Sequence, residues 1–212
     1  MIFENRNQAG KILAKELSKL KLNCKKSIIV AIPRGGVVVG KAISQTLSVP
    51  LTVIVIKKLG APFNAELAIG ATASRGRPVL DRWLIRDLKV SPDYLKKEIL
   101  KKKKEAVSRE RYLNVRLDEK IFSGKDVIVV DDGLATGQTA KAACYVIRQF
   151  QPSGIILAVP CAAPSAIDLV KEVYDKVVCL EVDPELVAVG QFYRDFRPIE
   201  DEEVATILKS KI

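Results

Sequence analysis

Two adjacent carboxylates, Asp131 and Asp132, open the run DDGLATGQT, and the residues behind them are nearly all small: Gly133, Ala135, Thr136, Gly137 and Thr139. Small side chains leave backbone N–H groups accessible, and converging amides bind anions. The carboxylates cannot hold that same anion. They suit a group that donates hydrogen bonds or carries positive charge, such as sugar hydroxyls or a hydrated Mg²⁺. Side by side, the two chemistries describe a sugar phosphate with a metal. An ordinary turn with one aspartate capping the next helix would account for one carboxylate, but not for two followed by four small residues.

The flanking segments must hold that run in place. Residues 126–130, DVIVV, are too short for a helix and read as a buried central strand. Residues 140–150, AKAACYVIRQF, repeat Ala140, Ala143, Cys144, Ile147 and Phe150 at helical spacing. A strand, a small-residue loop and a helix start bring unpaired amides and the positive end of the helix dipole to one spot. A second junction of this kind lies upstream. A strand over residues 27–32 ends in PRGGVVVG, where Pro33 stops the strand, Gly35 and Gly36 free the backbone, and Val39, Ala42, Ile43 and Leu47 continue as a helix. Arg34 then stands at the carboxyl end of a parallel strand, where open α/β sheets bind ligands, and its fork suits phosphate. Residues 51–58, LTVIVIKK, read as another buried strand that ends in Lys57 and Lys58 at the same sheet edge.

Residues 127–139, VIVVDDGLATGQT, resemble the thirteen-residue signature of the type I phosphoribosyltransferases, which bind 5-phosphoribosyl 1-pyrophosphate. The resemblance implies that Asp131 and Asp132 hold the ribose hydroxyls and, directly or through water, Mg²⁺. It implies that Ala135, Thr136, Gly137, Gln138 and Thr139 surround the 5′-phosphate, with Gly133 also in contact with substrate and Arg34, Gly35 and one of Lys57 and Lys58 on the pyrophosphate. The implied reaction transfers phosphoribosyl to a nitrogen acceptor and releases pyrophosphate, with Arg34, Lys57, Asp131 and Asp132 as the catalytic candidates and Arg75 or Arg77 as further cations. By the same resemblance, residues 60–123 hold a mobile antiparallel flap, and residues 1–23 and 183–212 form a hood that meets the acceptor. Hypoxanthine-guanine enzymes carry an aspartate where this chain has Ala135, and their stacking aromatic is here an aliphatic residue near Val187. Taken together, AIPRGGVVVG, KKLGAP, ELAIGA, RERY and VDDGLATG look closest to a bacterial and archaeal group whose acceptor is unassigned.

Strands over residues 154–160 and 176–182, with a helix over 164–173 between them, extend the βαβ alternation. The expected fold is therefore α/β, an open parallel sheet flanked by helices, with a core over about residues 24–182. Its 212 residues suit one domain. The absence of histidine excludes Ser-His and Cys-His nucleophiles. Four cysteines without C-x-x-C spacing, and a polar start without a long apolar run, suit a cytoplasmic protein with no membrane partner. A net charge of +10 suits a polyanionic partner. The helix over residues 91–112 carries Lys101 to Lys104, Arg109 and Arg111, which read as a solvated face in preference to a nucleic-acid contact, since no aromatic residue interleaves the lysines. The alternative to an enzyme is an RNA-binding regulator that senses the sugar pyrophosphate on the same fold. Subunits of this fold often pair, so a homodimer is expected.

Overall fold

In the computed structural model, which describes residues 1–20 and 22–209, the chain opens with α1 (Arg6–Ser18), capped by the Asn5 side chain, which accepts from the Gln8 amide. Residues 21 and 210–212, inside the predicted hood segments, lie outside the described residues. There follow β1 (Ser27–Ala31), α2 (Gly35–Leu47) and β2 (Leu51–Val53). An inserted unit comes next: β3 (Lys57–Ala61), β4 (Asn64–Thr72), β5 (Val79–Leu80), α3 (Arg82–Asp87), α4 (Pro92–Tyr112) and α5 (Glu119–Phe122). The chain then returns through β6 (Asp126–Val130), α6 (Gln138–Arg148), β7 (Gly154–Ala162), α7 (Pro164–Lys171) and β8 (Lys176–Val182), and closes with α8 (Asp201–Lys209).

Five strands form one parallel sheet in the order β2-β1-β6-β7-β8. Strand alternation divides its side chains between two layers. Val127 and Val129 face a core shared with Phe122, Ile147 and Phe150, whereas Ile128 and Val130 face Leu13, Leu17, Val39 and Ile43 of α1 and α2. Both faces are covered, and this explains why the central strands read as unbroken apolar runs.

The strand expected over residues 51–58 is shorter than its composition suggested. Its neighbour β1 stops at Ala31, just before Pro33, and the Ala31 carbonyl accepts its last bond from the Ile54 amide at 3.1 Å. With no partner beyond that point, the chain leaves the sheet, and Lys57 begins β3 of a separate antiparallel sheet, β3-β4-β5. The inserted unit thus starts at Lys57 and not near residue 60.

α4 buttresses that insert. Ser91 caps it by accepting from the Tyr94 amide, Pro92 occupies its first position, and the Tyr94 hydroxyl donates to the Gly60 carbonyl at 3.0 Å. No helix among the described residues is long and apolar enough to cross a membrane.

Burial sorts the thiols. It pushes Cys144 and Cys179 up to about 11 and Cys161 up to about 12, while Cys24 is exposed. Since thiolates are the reactive species, the native protein at pH 8 is expected to release colour from a chromogenic disulfide with one fast thiol, the other three reacting only on unfolding. A second fast thiol would mean that the core is open.

Candidate functional site

β1 and β6 run in register, with Ala31 opposite Val130, so the two loops that follow leave the sheet side by side. Their contact leaves no room for side chains. A Cβ on Gly36 would lie 2.7 Å from the Val130 carbonyl oxygen and 2.9 Å from the Asp131 Cα, and one on Gly35 would run into the Asp132 carboxylate. The peptide between Pro33 and Arg34 is cis. Gly35 and Gly36 lie against Asp132 and Asp131, and the Arg34 side chain, partly exposed, reaches Glu200 at 3.1 Å.

The loop after β6 is pinned at its middle. The Leu134 amide donates to the Cys161 carbonyl at 2.9 Å, and the Ala163 amide donates to the Leu134 carbonyl at 3.0 Å. Among the described residues, the amides of Gly133, Ala135, Thr136, Gly137, Gln138 and Thr139 find no acceptor. The cap of α6 is Gly137, at φ +71°, with no side-chain capping bond, so neither aspartate caps the helix. A carboxylate there would have occupied the amides; glycine leaves them open at the positive end of the dipole.

A cavity of about 570 Å³ adjoins this loop, with Thr136, Gln138, Thr139 and Tyr145 on one wall and Lys58, Ala71 and Leu80 of the inserted sheet on the other. Lys58 thus joins the signature loop. Lys57, its neighbour on β3, points into a different groove with Glu105, Arg109 and Asp201, and its ammonium lies 3.7 Å from Glu105. Successive strand residues face opposite sides, which is why only one of the two lysines can line the cavity.

The two aspartates differ. Asp131 is half-buried, and its Oδ1 accepts from the Asp132 amide at 2.9 Å. Burial first, and then the adjacent Asp132 carboxylate, hold its carboxyl well above the usual range. Asp132 has a counter-ion that the sequence reading missed: the Arg6 Nε donates to its Oδ2 at 2.8 Å. Arg6 is 7% exposed and shares the buried stripe of α1 with Ala9, Gly10, Leu13 and Leu17. A charge on an apolar helical stripe was the available signal.

Two predicted contributions fall elsewhere. Arg75 and Arg77 are not brought to the loop: Gly76 between them packs near Gln149, and the Arg77 amide donates to the Gln149 side chain at 2.7 Å. Gln149 lies beyond the C-terminal end of α6, about 16 Å from the loop at 1.5 Å per residue. The hood aromatics are committed to packing. Tyr193 packs between a tilted Phe3 ring at 5.5 Å and a stacked Phe196 ring at 5.1 Å, its hydroxyl donates to the Asp132 carbonyl at 2.7 Å, and Val187 projects into solvent.

A family model for the phosphoribosyl transferase domain matches residues 1–197. Two provisionally named phosphoribosyl transferases of Mycobacterium tuberculosis, from strains CDC 1551 and H37Rv, are each 36% identical over 211 residues, 98% of this chain and 46% of theirs. The chain thus spans about half the length of the curated relatives it matches. Among solved structures, TT1426 from Thermus thermophilus is 38% identical with a TM-score of 0.86 over 98% of both chains. AQ2163 from Aquifex aeolicus, 17% identical with a TM-score of 0.52 over 84% of this chain and 74% of that one, shares the fold alone.

The loop contact can be tested through stability. Gly35→Ala forces a methyl group into the Asp132 carboxylate and is expected to lower the unfolding free energy in urea by about 1–3 kcal/mol, as overpacking does. A change within about 0.5 kcal/mol, typical of surface sites, would show that the two loops do not touch.

Proposed function

The chain belongs to the phosphoribosyl transferase domain family, and from that premise we propose that it binds 5-phosphoribosyl 1-pyrophosphate with Mg²⁺ and transfers the phosphoribosyl group to a nitrogen acceptor. The observation that carries this reading is the set of unpaired amides at the start of α6, directly beside two carboxylates and the glycines of the Arg34 loop. On this reading, the amides of Ala135, Thr136, Gly137, Gln138 and Thr139 hold the 5′-phosphate, with Lys58 as the cation facing them across the cavity. Asp131 and Asp132 accept from the ribose hydroxyls, and Arg34 with the Gly35 backbone meets the pyrophosphate, Arg34 exchanging its surface pair with Glu200 for the ligand. Lys57 faces the other groove, where its ammonium lies against Glu105, and takes no part in holding the ligand.

The acceptor nitrogen forms a bond to C1 of the ribose as the bond from C1 to the diphosphate oxygen breaks. The electron pair leaves on pyrophosphate, and the proton released from the acceptor goes to solvent. Charge separates in the transition state, so fixed cations around the diphosphate lower the barrier, and a ribose fixed by two carboxylates supplies the alignment. Among the described residues no three potential ligand side chains converge on a metal site. Asp131 has no ion-pair partner there, and Asp132 is paired with Arg6. This donor set fits a Mg²⁺ that keeps much of its water and takes other ligands from the substrate. When bound, that ion neutralises charge developing on the diphosphate.

Incubation with the sugar pyrophosphate, Mg²⁺ and a cell extract is expected to yield stoichiometric pyrophosphate and one new ribosylated compound by mass. Lys58→Ala and Asp131→Asn are each expected to weaken binding of the sugar pyrophosphate about tenfold or more, the loss from removing one charge-assisted hydrogen bond. Absence of binding by the unmodified protein at millimolar ligand would end this reading.

One observation favours a second reading, a regulator that holds RNA. Lys97, Lys101 and Lys104 line a concave groove of about 970 Å³ along α4, with Lys57 and Arg109. That reading expects RNA retention that falls steeply with salt, and sugar pyrophosphate binding without turnover.

A further inference from the structure

We infer that Arg6 is a positioning residue of the site, one that the signature does not contain: its guanidinium fixes the Asp132 carboxylate and the Arg34 loop relative to each other. The inference rests on the reading above and deepens it. Arg6 is held on several sides. Its Nε donates to Asp132 Oδ2 at 2.8 Å, and its Nη1 donates to the Arg197 carbonyl at 3.0 Å. The guanidinium carbon lies 3.8 Å from the centre of the Phe196 ring. Its Nε would lie 2.9 Å from a Cβ placed on Gly35, so the guanidinium also packs against the loop assigned to pyrophosphate. The Arg6 and Asp132 side chains are 8% and 16% exposed, which takes the pair out of water and makes the fork rigid.

The consequence is chemical as well as steric. Charges on consecutive carboxyl groups repel each other, and an uncompensated Asp132 charge would favour Mg²⁺ while opposing a ligand that carries several phosphate charges. With Oδ2 bonded to Arg6, the charge of Asp132 is compensated by the guanidinium, and the pair as a whole carries about one negative charge less. Arg6 therefore tunes the acidic pair toward the sugar and away from free metal. A residue that served stability alone would not change these two affinities in opposite directions.

Calorimetric titration of the full chain tests this with two probes, Mg²⁺ alone and the sugar pyrophosphate in saturating Mg²⁺, well below the melting temperature. Arg6→Ala is expected to weaken sugar pyrophosphate binding about tenfold or more, because a buried charge loses its partner, while binding Mg²⁺ alone several-fold more tightly. Arg6→Lys keeps the charge but not the fork, so Mg²⁺ binding stays at the unmodified level while sugar pyrophosphate binding still weakens. If Arg6→Ala does not fold, Phe196→Leu removes the face beneath the guanidinium and is expected to weaken sugar pyrophosphate binding to a smaller degree. Added guanidinium ion at millimolar concentration should restore much of the loss in Arg6→Ala. Equal sugar pyrophosphate affinity in unmodified and Arg6→Ala protein would overturn the role of Arg6 alone. No binding by the unmodified protein would overturn the functional reading and this inference together.

Discussion

The in-register parallel pairing of β1 with β6 is the constraint on which the site depends, because it makes both strands end at one level, with Ala31 beside Val130. A slip of one residue would exchange the faces of β6, sending Ile128 and Val130 toward the layer now filled by Val127 and Val129. It would also separate the loop of Gly35 and Gly36 from Asp131 and Asp132. Two packed layers thus enforce a register that in turn sets the distance between a candidate pyrophosphate loop and a candidate sugar loop. The price is a pair of glycines, since any side chain at residues 35 and 36 would occupy the contact.

A second level of order comes from the chain termini. The Phe3 amide donates to the Phe192 carbonyl at 2.7 Å, and the Arg194 amide donates to the Phe3 carbonyl at 2.9 Å, so the segment before α1 pairs with residues 192–194. This pairing delivers Arg6 and the Tyr193 hydroxyl to a single residue, Asp132, with the Phe196 ring against the Arg6 guanidinium. Buried ion pairs contribute little net stability because desolvation offsets their attraction. Here the pair selects one arrangement of Asp132 among several, and the aromatic rings supply the apolar wall around it.

The acidic start of the C-terminal helix forms a third layer of control. Glu200 pairs with Arg34, Asp201 with Arg109 at 2.6 Å, and Glu203 with Arg197 at 2.8 Å, while Glu202 accepts from the Tyr112 hydroxyl at 2.8 Å. These contacts connect the Arg34 loop to α4, a helix polar on most of its surface that buries only Ala106 and Glu110. Such a helix gains its place from specific polar contacts more than from an apolar stripe. Ser74 donating to Glu110 at 2.6 Å and Lys103 donating to the Gly76 carbonyl at 2.7 Å are two of them.

Local pattern alone determined the parallel α/β architecture, the long capped helix over residues 92–112 and the open amides behind Asp131 and Asp132, because periodicity, capping residues and runs of small side chains act over a few residues. Three matters were decided only by the tertiary structure. β2 ends at Val53 because its neighbour ends first, which LTVIVIKK cannot reveal by itself. Lys58, and not Lys57, lines the signature-loop cavity because the strand they begin belongs to another sheet and turns successive side chains to opposite faces. Arg6 reaches Asp132 across 126 positions of chain, and the aromatics of residues 192–196 pack around that pair instead of standing open. Contacts of this range depend on how layers stack, and no short stretch of residues encodes the stacking of a distant one.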